Sequence, residues 1–154
     1  MHLLDLAALP CLARLCLVVM FPFSALDKIV HREDALKQAD SSFLPGGRVL
    51  LLLAIVVEFV TPVCIVLGWH DRLAAFVLAG FCAVTALLYH PFWNYPGFWS
   101  KAGEGRGHFW DFLKNFGLVG GLVLLMIGGT PTSASAVLAH PLSAAPYMAA
   151  DPAR

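Results

Sequence analysis

The sequence predicts an all-α integral membrane protein, a bundle of four transmembrane helices with a long aromatic loop between the third and fourth helices. Of its 154 residues, 59% are hydrophobic and 13% are charged, and the mean hydropathy is +0.76. Because a soluble domain carries about 25% charged residues, this composition indicates membrane insertion. Runs of about 20 apolar residues recur along the chain, and one such helix spans a hydrocarbon core of roughly 30 Å.

The predicted spans are 9–29, 49–69, 73–89 and 109–127, within a membrane domain of residues 1–129. Pro22 is placed to bend the first span. The middle of the connector that follows, 33–39, predicts a short interfacial helix before a chain break at 45–47. Residues 130–154 are rich in Ala, Pro and Ser, which predicts an irregular tail that tolerates truncation.

The net charge is zero and the basic residues are scattered, so the sequence indicates no nucleic-acid partner. The cysteines lie in apolar runs without C-x-x-C spacing, which predicts buried structural thiols and no metal site. These cysteines are Cys11, Cys16, Cys64 and Cys82.

Glu58 stands in the middle of the second predicted span. An ionised group at that depth costs about 2.5 kcal/mol or more, so Glu58 needs a partner, a proton or water. Pro62 leaves the Glu58 carbonyl without its helical donor, and Thr61 offers a nearby hydroxyl. A packing role, as a protonated or paired group, and a functional role in ligand binding or proton exchange stand as equal alternatives.

Arg14 and Lys28 lie near opposite ends of the first span. Helical side chains tilt toward the N-terminus, so Arg14 can reach the head groups, whereas Lys28 leans back toward the membrane. For Lys28, a charge pair with Asp27 or a contact with a lipid phosphate is favoured over a ligand role.

Segment 90–110 is the most unusual part of the sequence because it combines many aromatic residues with glycines and two histidines, His90 and His108. Tyrosine and tryptophan favour the membrane interface, so an aromatic belt is the favoured interpretation. The alternative is the wall of a pocket for a flat lipophilic ligand such as a quinone. The candidate contact residues of this loop are Trp93, Tyr95, Trp99 and Trp110.

Four spans place the first and third connectors on the same side of the membrane. This topology gathers the candidates for ligand binding or proton exchange at one end of the bundle, with Glu58 deeper than the others. They are Glu58, Lys28, His90, His108, Lys114 and Asn115. Asp111 and Lys114, three residues apart on a helix, are also placed to neutralise each other. The excess of basic residues beside these connectors predicts that both termini are periplasmic in a bacterial inner membrane.

The chain resembles the DoxX family of small bacterial four-span membrane proteins. The resemblance rests on three local patterns: Arg14 and Lys28 in span one, Glu58 with the following Gly68 and 72–75, and Phe112 with 114–121 in span four. Val18 and Ala25 stand where the family often has glycines, and the aromatic loop is longer than expected. The resemblance implies a four-helix membrane bundle, and relatives are linked to quinone-coupled sulfur oxidation and to membrane oxidoreductase assemblies.

The favoured function is a non-catalytic accessory subunit of a larger membrane electron-transfer complex, with membrane-protein subunits or further copies of this chain as partners. The alternative is a quinone-binding or quinol-binding oxidoreductase component in which Glu58 exchanges a proton. A quinone is then the candidate cofactor. Haem ligation is disfavoured because only His90 closely adjoins a predicted span. A transporter function is disfavoured as well, because the four spans show no internal repeat.

Overall fold

The computed structural model describes residues 8–41, 44–100 and 103–127. It confirms the all-α fold, with four helical segments long and apolar enough to cross a membrane. The helices are α1 (Leu9–Val18), α2 (Met20–Val30), α3 (Arg32–Asp40), α4 (Gly47–Leu67), α5 (Asp71–Tyr89) and α6 (Glu104–Ile127). α1 and α2 together form the first span, and the predicted tail 130–154 lies outside the described residues.

The first span is divided at Val19, between α1 and α2. Pro22 has no N–H, so the carbonyl of Val18 loses the donor that a regular helix would supply four residues later. The interruption therefore falls where the predicted proline bend places it.

The short helix α3 confirms the helix predicted in the first connector and lies against the start of α4, while its interfacial position stays a prediction. Glu33 and Asp34 stand in its first turn, where negative charge complements the helix dipole. Gly46, with φ +89°, turns the chain into α4. At Gly47 a Cβ atom would lie 2.8 Å from the Asp40 Cγ and 3.1 Å from the Asp40 backbone nitrogen, so α3 and α4 approach each other closely here and a larger residue would displace the Asp40 side chain.

The core lies between the first span, formed by α1 and α2, and the helices α4, α5 and α6. Its largest fully buried side chains are Val18, Ile65, Leu78, Cys82 and Leu122. Cys64 and Cys82 are buried as predicted, but Cys11 and Cys16 are exposed, so the prediction of burial was wrong for these two. They lie on α1, much of whose apolar surface is exposed and would contact lipid.

Arg14 links α1 to α4 and α5 at the end of the bundle opposite α3. Its guanidinium donates to the Asp71 carboxylate at 2.7 Å and to the Ile65 carbonyl at 3.1 Å. The prediction that Arg14 extends to the lipid head groups was therefore wrong. Carbonyls in the last turn of a helix lack regular intrahelical donors, and the Ile65 carbonyl accepts from the Gly68 N–H at 3.3 Å. The guanidinium supplies a further donor at this end of α4 while it pairs with the first residue of α5.

α6 begins at Glu104 rather than near residue 109, so the aromatic loop is shorter than predicted. Tertiary contacts explain the earlier start, because rings of the loop pack onto the first turns of α6. Phe92, in a 3₁₀ turn, lies with its ring centroid 4.8 Å from Phe98, 5.2 Å from Phe109 and 5.2 Å from Phe112.

Gly105 is buried beneath this loop, and we expect Gly105→Ala to destabilise the protein. The added Cβ would lie 2.5 Å from the Tyr95 Cβ and 3.2 Å from the Phe98 Cβ. Such overpacking costs about 1–3 kcal/mol, more than the roughly 0.5–1 kcal/mol that alanine contributes in a helix. Denaturant unfolding in detergent micelles measures the change.

Gly107 provides the matched control because a Cβ there meets nothing within 4 Å. Gly107→Ala should raise the free energy of unfolding, again by roughly 0.5–1 kcal/mol. If both variants were stabilised equally, the loop would not be held against α6 as described.

Candidate functional site

The candidate site lies at the end of the bundle where α2 ends, α4 begins, α5 ends and α6 begins. The two long connectors meet at this end, as the sequence predicts. The structure brings four of the predicted residues to one cavity, which are Lys28, Glu58, His90 and Asn115. Lys114 lines an adjoining groove, and His108 contacts His90.

An ion pair between the buried Glu58 and the partly buried Lys28, whose side chain is 24% exposed, forms the floor of the site. The Lys28 ammonium donates to Glu58 Oε1 at 2.9 Å and to Ser24 Oγ at 2.6 Å, while the Ser24 hydroxyl donates to the same carboxylate oxygen at 3.1 Å. Glu58 is only 3% exposed. Ser24 and Lys28 are four residues apart, on one face of α2, so both reach α4 together.

The expectation that Lys28 pairs with Asp27 or with a lipid phosphate was wrong. Consecutive residues project in different directions around a helix, so Asp27 faces away from the bundle. Its carboxylate lies 2.9 Å from His31 Nδ1, one turn later. Lys28 is instead the partner that the charge of Glu58 requires.

The second carboxylate oxygen of Glu58, Oε2, is buried and has no hydrogen-bond partner within the described part of the chain. The Thr61 hydroxyl does not serve Glu58, since it donates to the Val57 carbonyl at 2.8 Å. An unsatisfied buried acceptor costs about 1–3 kcal/mol, and more when it is charged. Glu58 is one of the residues that line the adjoining cavity, and its carboxylate keeps the capacity for a further hydrogen bond.

The cavity above the ion pair has a volume of about 220 Å³. Its polar side chains converge from all the surrounding helices. They are Ser24, Lys28, Gln38, Glu58, Thr85, Tyr89, His90 and Asn115. Apolar walls come from Phe21, Leu51 and Phe81, among others. The mixture of apolar walls and a few convergent polar groups is typical of small-molecule sites.

Sequence reasoning missed the contribution of α3 to this cavity. Ala35, Gln38 and Ala39 cover it from the connector side. The two alanines are four residues apart and so share a face of α3, and this spacing was the available signal. Ser24 was missed as well, although it stands one turn before Lys28.

A second, larger groove adjoins the cavity on the side of α6. Its volume is about 610 Å³, and Met20, His90 and Asn115 line both spaces. Lys114 lies at this groove and donates to Asp111 at 3.0 Å, so these two charges neutralise each other as the sequence indicates. Asn115 donates its amide to the Asp111 carbonyl at 2.9 Å.

A row of three polar rings leads from the cavity toward the loop. His90 Nδ1 lies 3.4 Å from His108 Nδ1, and His108 Nε2 lies 3.2 Å from the Tyr95 hydroxyl. The rings of Tyr95 and His108 are stacked, with centroids 5.0 Å apart. The expectation that His108 belongs to a connector was wrong, because it lies in the second turn of α6.

The remaining aromatic candidates lie outside the cavity. Trp93, Trp99 and Trp110 are exposed, and neither they nor Tyr95 are among the residues that line the cavity or the groove in the described structure. Exposed tryptophans at the end of a bundle are typical of an aromatic belt at the membrane interface. Their contact with a ligand or a partner stays a prediction.

The described residues contain no group of three or more His, Cys, Asp or Glu side chains placed to hold a metal ion.

Comparison with known proteins agrees with this architecture. The chain is 28% identical to the inner membrane protein YphA of Escherichia coli over 118 residues, which are 77% of this chain and 81% of YphA. It is 30% identical to the inner membrane protein YqjF of the same organism over 117 residues, 76% of this chain and 81% of YqjF. No solved structure matches the chain.

Both relatives are inner membrane proteins, which together with the four spans supports the predicted location as a multi-pass protein of the inner membrane. The DoxX family model matches residues 9–91, which include the first three spans and both members of the buried ion pair. The chain therefore belongs to the DoxX family.

Proposed function

We propose that this protein is a membrane subunit that binds the ring of a quinol or quinone above Glu58 and works beside a separate electron-transferring protein. The observation that carries the proposal is the buried carboxylate of Glu58, a residue that lines the cavity and whose Oε2 has no donor among the described residues. A ligand hydroxyl is the donor that this oxygen lacks. A quinol supplies a hydroxyl on an apolar ring, and both parts match the walls of the cavity.

The size of the cavity supports a single substituted ring. An apolar cavity of roughly 150 Å³ accommodates benzene, and this cavity has about 220 Å³. Lys28, His90 and Asn115 offer donors for the carbonyl oxygens of a quinone, while Glu58 accepts from the hydroxyl of a quinol. The site therefore has polar groups for both redox forms.

Oxidation of a quinol releases two protons and two electrons. Glu58 accepts one proton from the hydroxyl that it contacts, as a positioned general base. The second proton leaves through His90, which contacts His108 and through it Tyr95. Both electrons pass to the partner protein and leave a quinone in the cavity.

A partner is part of the proposal because the sequence carries no motif for an electron carrier. It contains no C-x-x-C-H haem attachment, no cysteine cluster and no dinucleotide fingerprint. This protein would then supply the ligand site, and the partner would supply the redox centre.

Native mass spectrometry of the protein, extracted in a mild detergent from its own membranes, tests both parts. We expect the wild-type protein to carry a quinone mass and a stoichiometric partner. Glu58→Gln should weaken quinone binding by about tenfold or more, as expected for loss of a charged hydrogen-bond acceptor worth roughly 1.5–3 kcal/mol, and should keep the partner. Glu33→Gln, which changes an exposed carboxylate on α3, should change neither.

The outcomes separate the two parts of the proposal. A chain that is extracted without any partner contradicts the role as a subunit. The absence of a quinone mass in the wild-type protein, or equal occupancy in wild type and Glu58→Gln, contradicts the ligand site.

A further inference from the structure

The groove beside the cavity lies between α2 and α6, where the bundle is least tightly closed. α6 packs chiefly against α5, and among its residues only Gly105 and Leu122 are buried. On the same helix, a Cβ at Gly117 would meet nothing within 4 Å. The space of about 610 Å³ in front of Gly117 is therefore open rather than filled by α2.

The groove is continuous with the cavity. Met20, His90 and Asn115 form walls of both spaces, so a molecule seated above Glu58 can extend past them toward α6. Because α2 and α6 belong to segments long and apolar enough to cross a membrane, a gap between them at that depth would face lipid.

The polarity of the groove changes with depth. α6 enters the membrane from the end that holds the site, so each residue lies about 1.5 Å deeper than the one before it. Asp111 and Lys114 line the shallow part of the groove, and Gly117 and Leu118 line the deeper part. Met20 is apolar and lies on α2 well below Lys28. The deeper part therefore suits an apolar chain.

We infer that the gap between α2 and α6 is a lateral portal that holds the apolar chain of the ligand, and that Gly117 sets its width. The inference rests on the proposed function, because it takes the ring to lie above Glu58. It specifies the ligand class as an amphipathic molecule with a hydroxyl-bearing ring and a linear hydrocarbon chain. Such a ligand enters sideways from the bilayer and leaves its chain between the two helices.

Two quinols that differ only in the chain test the portal. One is 2,3-dimethoxy-5-methylhydroquinone, and the other carries an added decyl chain on the same ring. Binding is measured to protein in lipid nanodiscs, with the decyl probe expressed as a mole fraction of the lipid. This scale prevents partition into the bilayer from being counted as affinity.

Gly117→Trp should fill the portal and weaken binding of the decyl probe by about tenfold or more, while binding of the chainless probe stays within about twofold of wild type. Gly117→Leu should have a smaller effect in the same direction. Gly120→Trp is the matched control, since a Cβ at Gly120 also meets nothing within 4 Å and Gly120 lines neither the cavity nor the groove. It should leave both probes unaffected.

Three results would overturn the portal while the proposed function stands. They are unchanged binding of the decyl probe in Gly117→Trp, equal weakening of both probes by that variant, and equal weakening of the decyl probe by Gly117→Trp and Gly120→Trp. Failure of the wild-type protein to bind either quinol would instead contradict the proposed function, and the portal with it.

Discussion

A chain that carries Glu58→Lys will not accumulate as a folded membrane protein. The new ammonium group would face Lys28, whose own ammonium now lies 2.9 Å from the Glu58 carboxylate. Each unpaired buried ion costs several kcal/mol, and a folded protein is stable by only about 5–15 kcal/mol. Immunoblots of the membrane fraction, together with size-exclusion chromatography in detergent, measure the accumulated folded protein.

Two companion variants separate charge from shape at the same position. Glu58→Gln keeps the volume and polarity of the side chain and should accumulate and elute as a folded protein. The exchange Lys28→Glu with Glu58→Lys restores opposite charges and should recover part of the accumulation. Normal accumulation of Glu58→Lys alone would show that this site faces water.

Lys28→Met will lower the free energy of unfolding by about 3–5 kcal/mol, the cost of breaking a buried ion pair from one side. Methionine has nearly the length of lysine, so the variant removes the charge and retains most of the volume. The Glu58 carboxylate would then keep only the Ser24 hydroxyl as a donor among the described residues. Unfolding by SDS in mixed micelles, followed by tryptophan fluorescence, measures the loss.

The double variant Lys28→Met with Glu58→Gln should regain most of this stability, because removal of both charges leaves no buried ion without a partner. Lys37→Met is the surface control. Lys37 and Asp34 also form an ion pair at 2.9 Å, but their side chains are 76% and 78% exposed. Such a pair contributes about 0–1 kcal/mol. Equal effects of Lys28→Met and Lys37→Met would contradict the buried pair.

Much of the architecture followed from local sequence. The spans were predictable because membrane helices need long apolar runs, and a chain with four spans must place alternate connectors on the same side. The helix α3 and the glycine turn into α4 followed from composition and from breaker residues. The start of α6 could not be predicted in this way. It depends on contacts between rings of the loop, such as Phe92, and the first turns of α6, which are distant from the loop ring along the chain.

The members of the site were partly predictable, but their pairings were not. Glu58 was a candidate because an acid in the middle of a span needs a partner, a proton or water. Its partner could not be chosen from sequence, since the rotation of α2 relative to α4 decides whether Lys28 or another cation faces it. The same limit explains Arg14, which reaches α4 and α5 rather than lipid.

The sequence by itself determined that the chain is a four-span membrane bundle of the DoxX family with a carboxylate in the middle of its second span, because hydropathy and residue order are local properties. Only the tertiary structure decided that Lys28 and Ser24 satisfy one oxygen of that carboxylate, that the other has no donor among the described residues, and that Glu58 lines a cavity with a groove of α6 beside it. These features depend on helix rotation and on packing between distant segments. Periodicity along a single helix does not specify either of them.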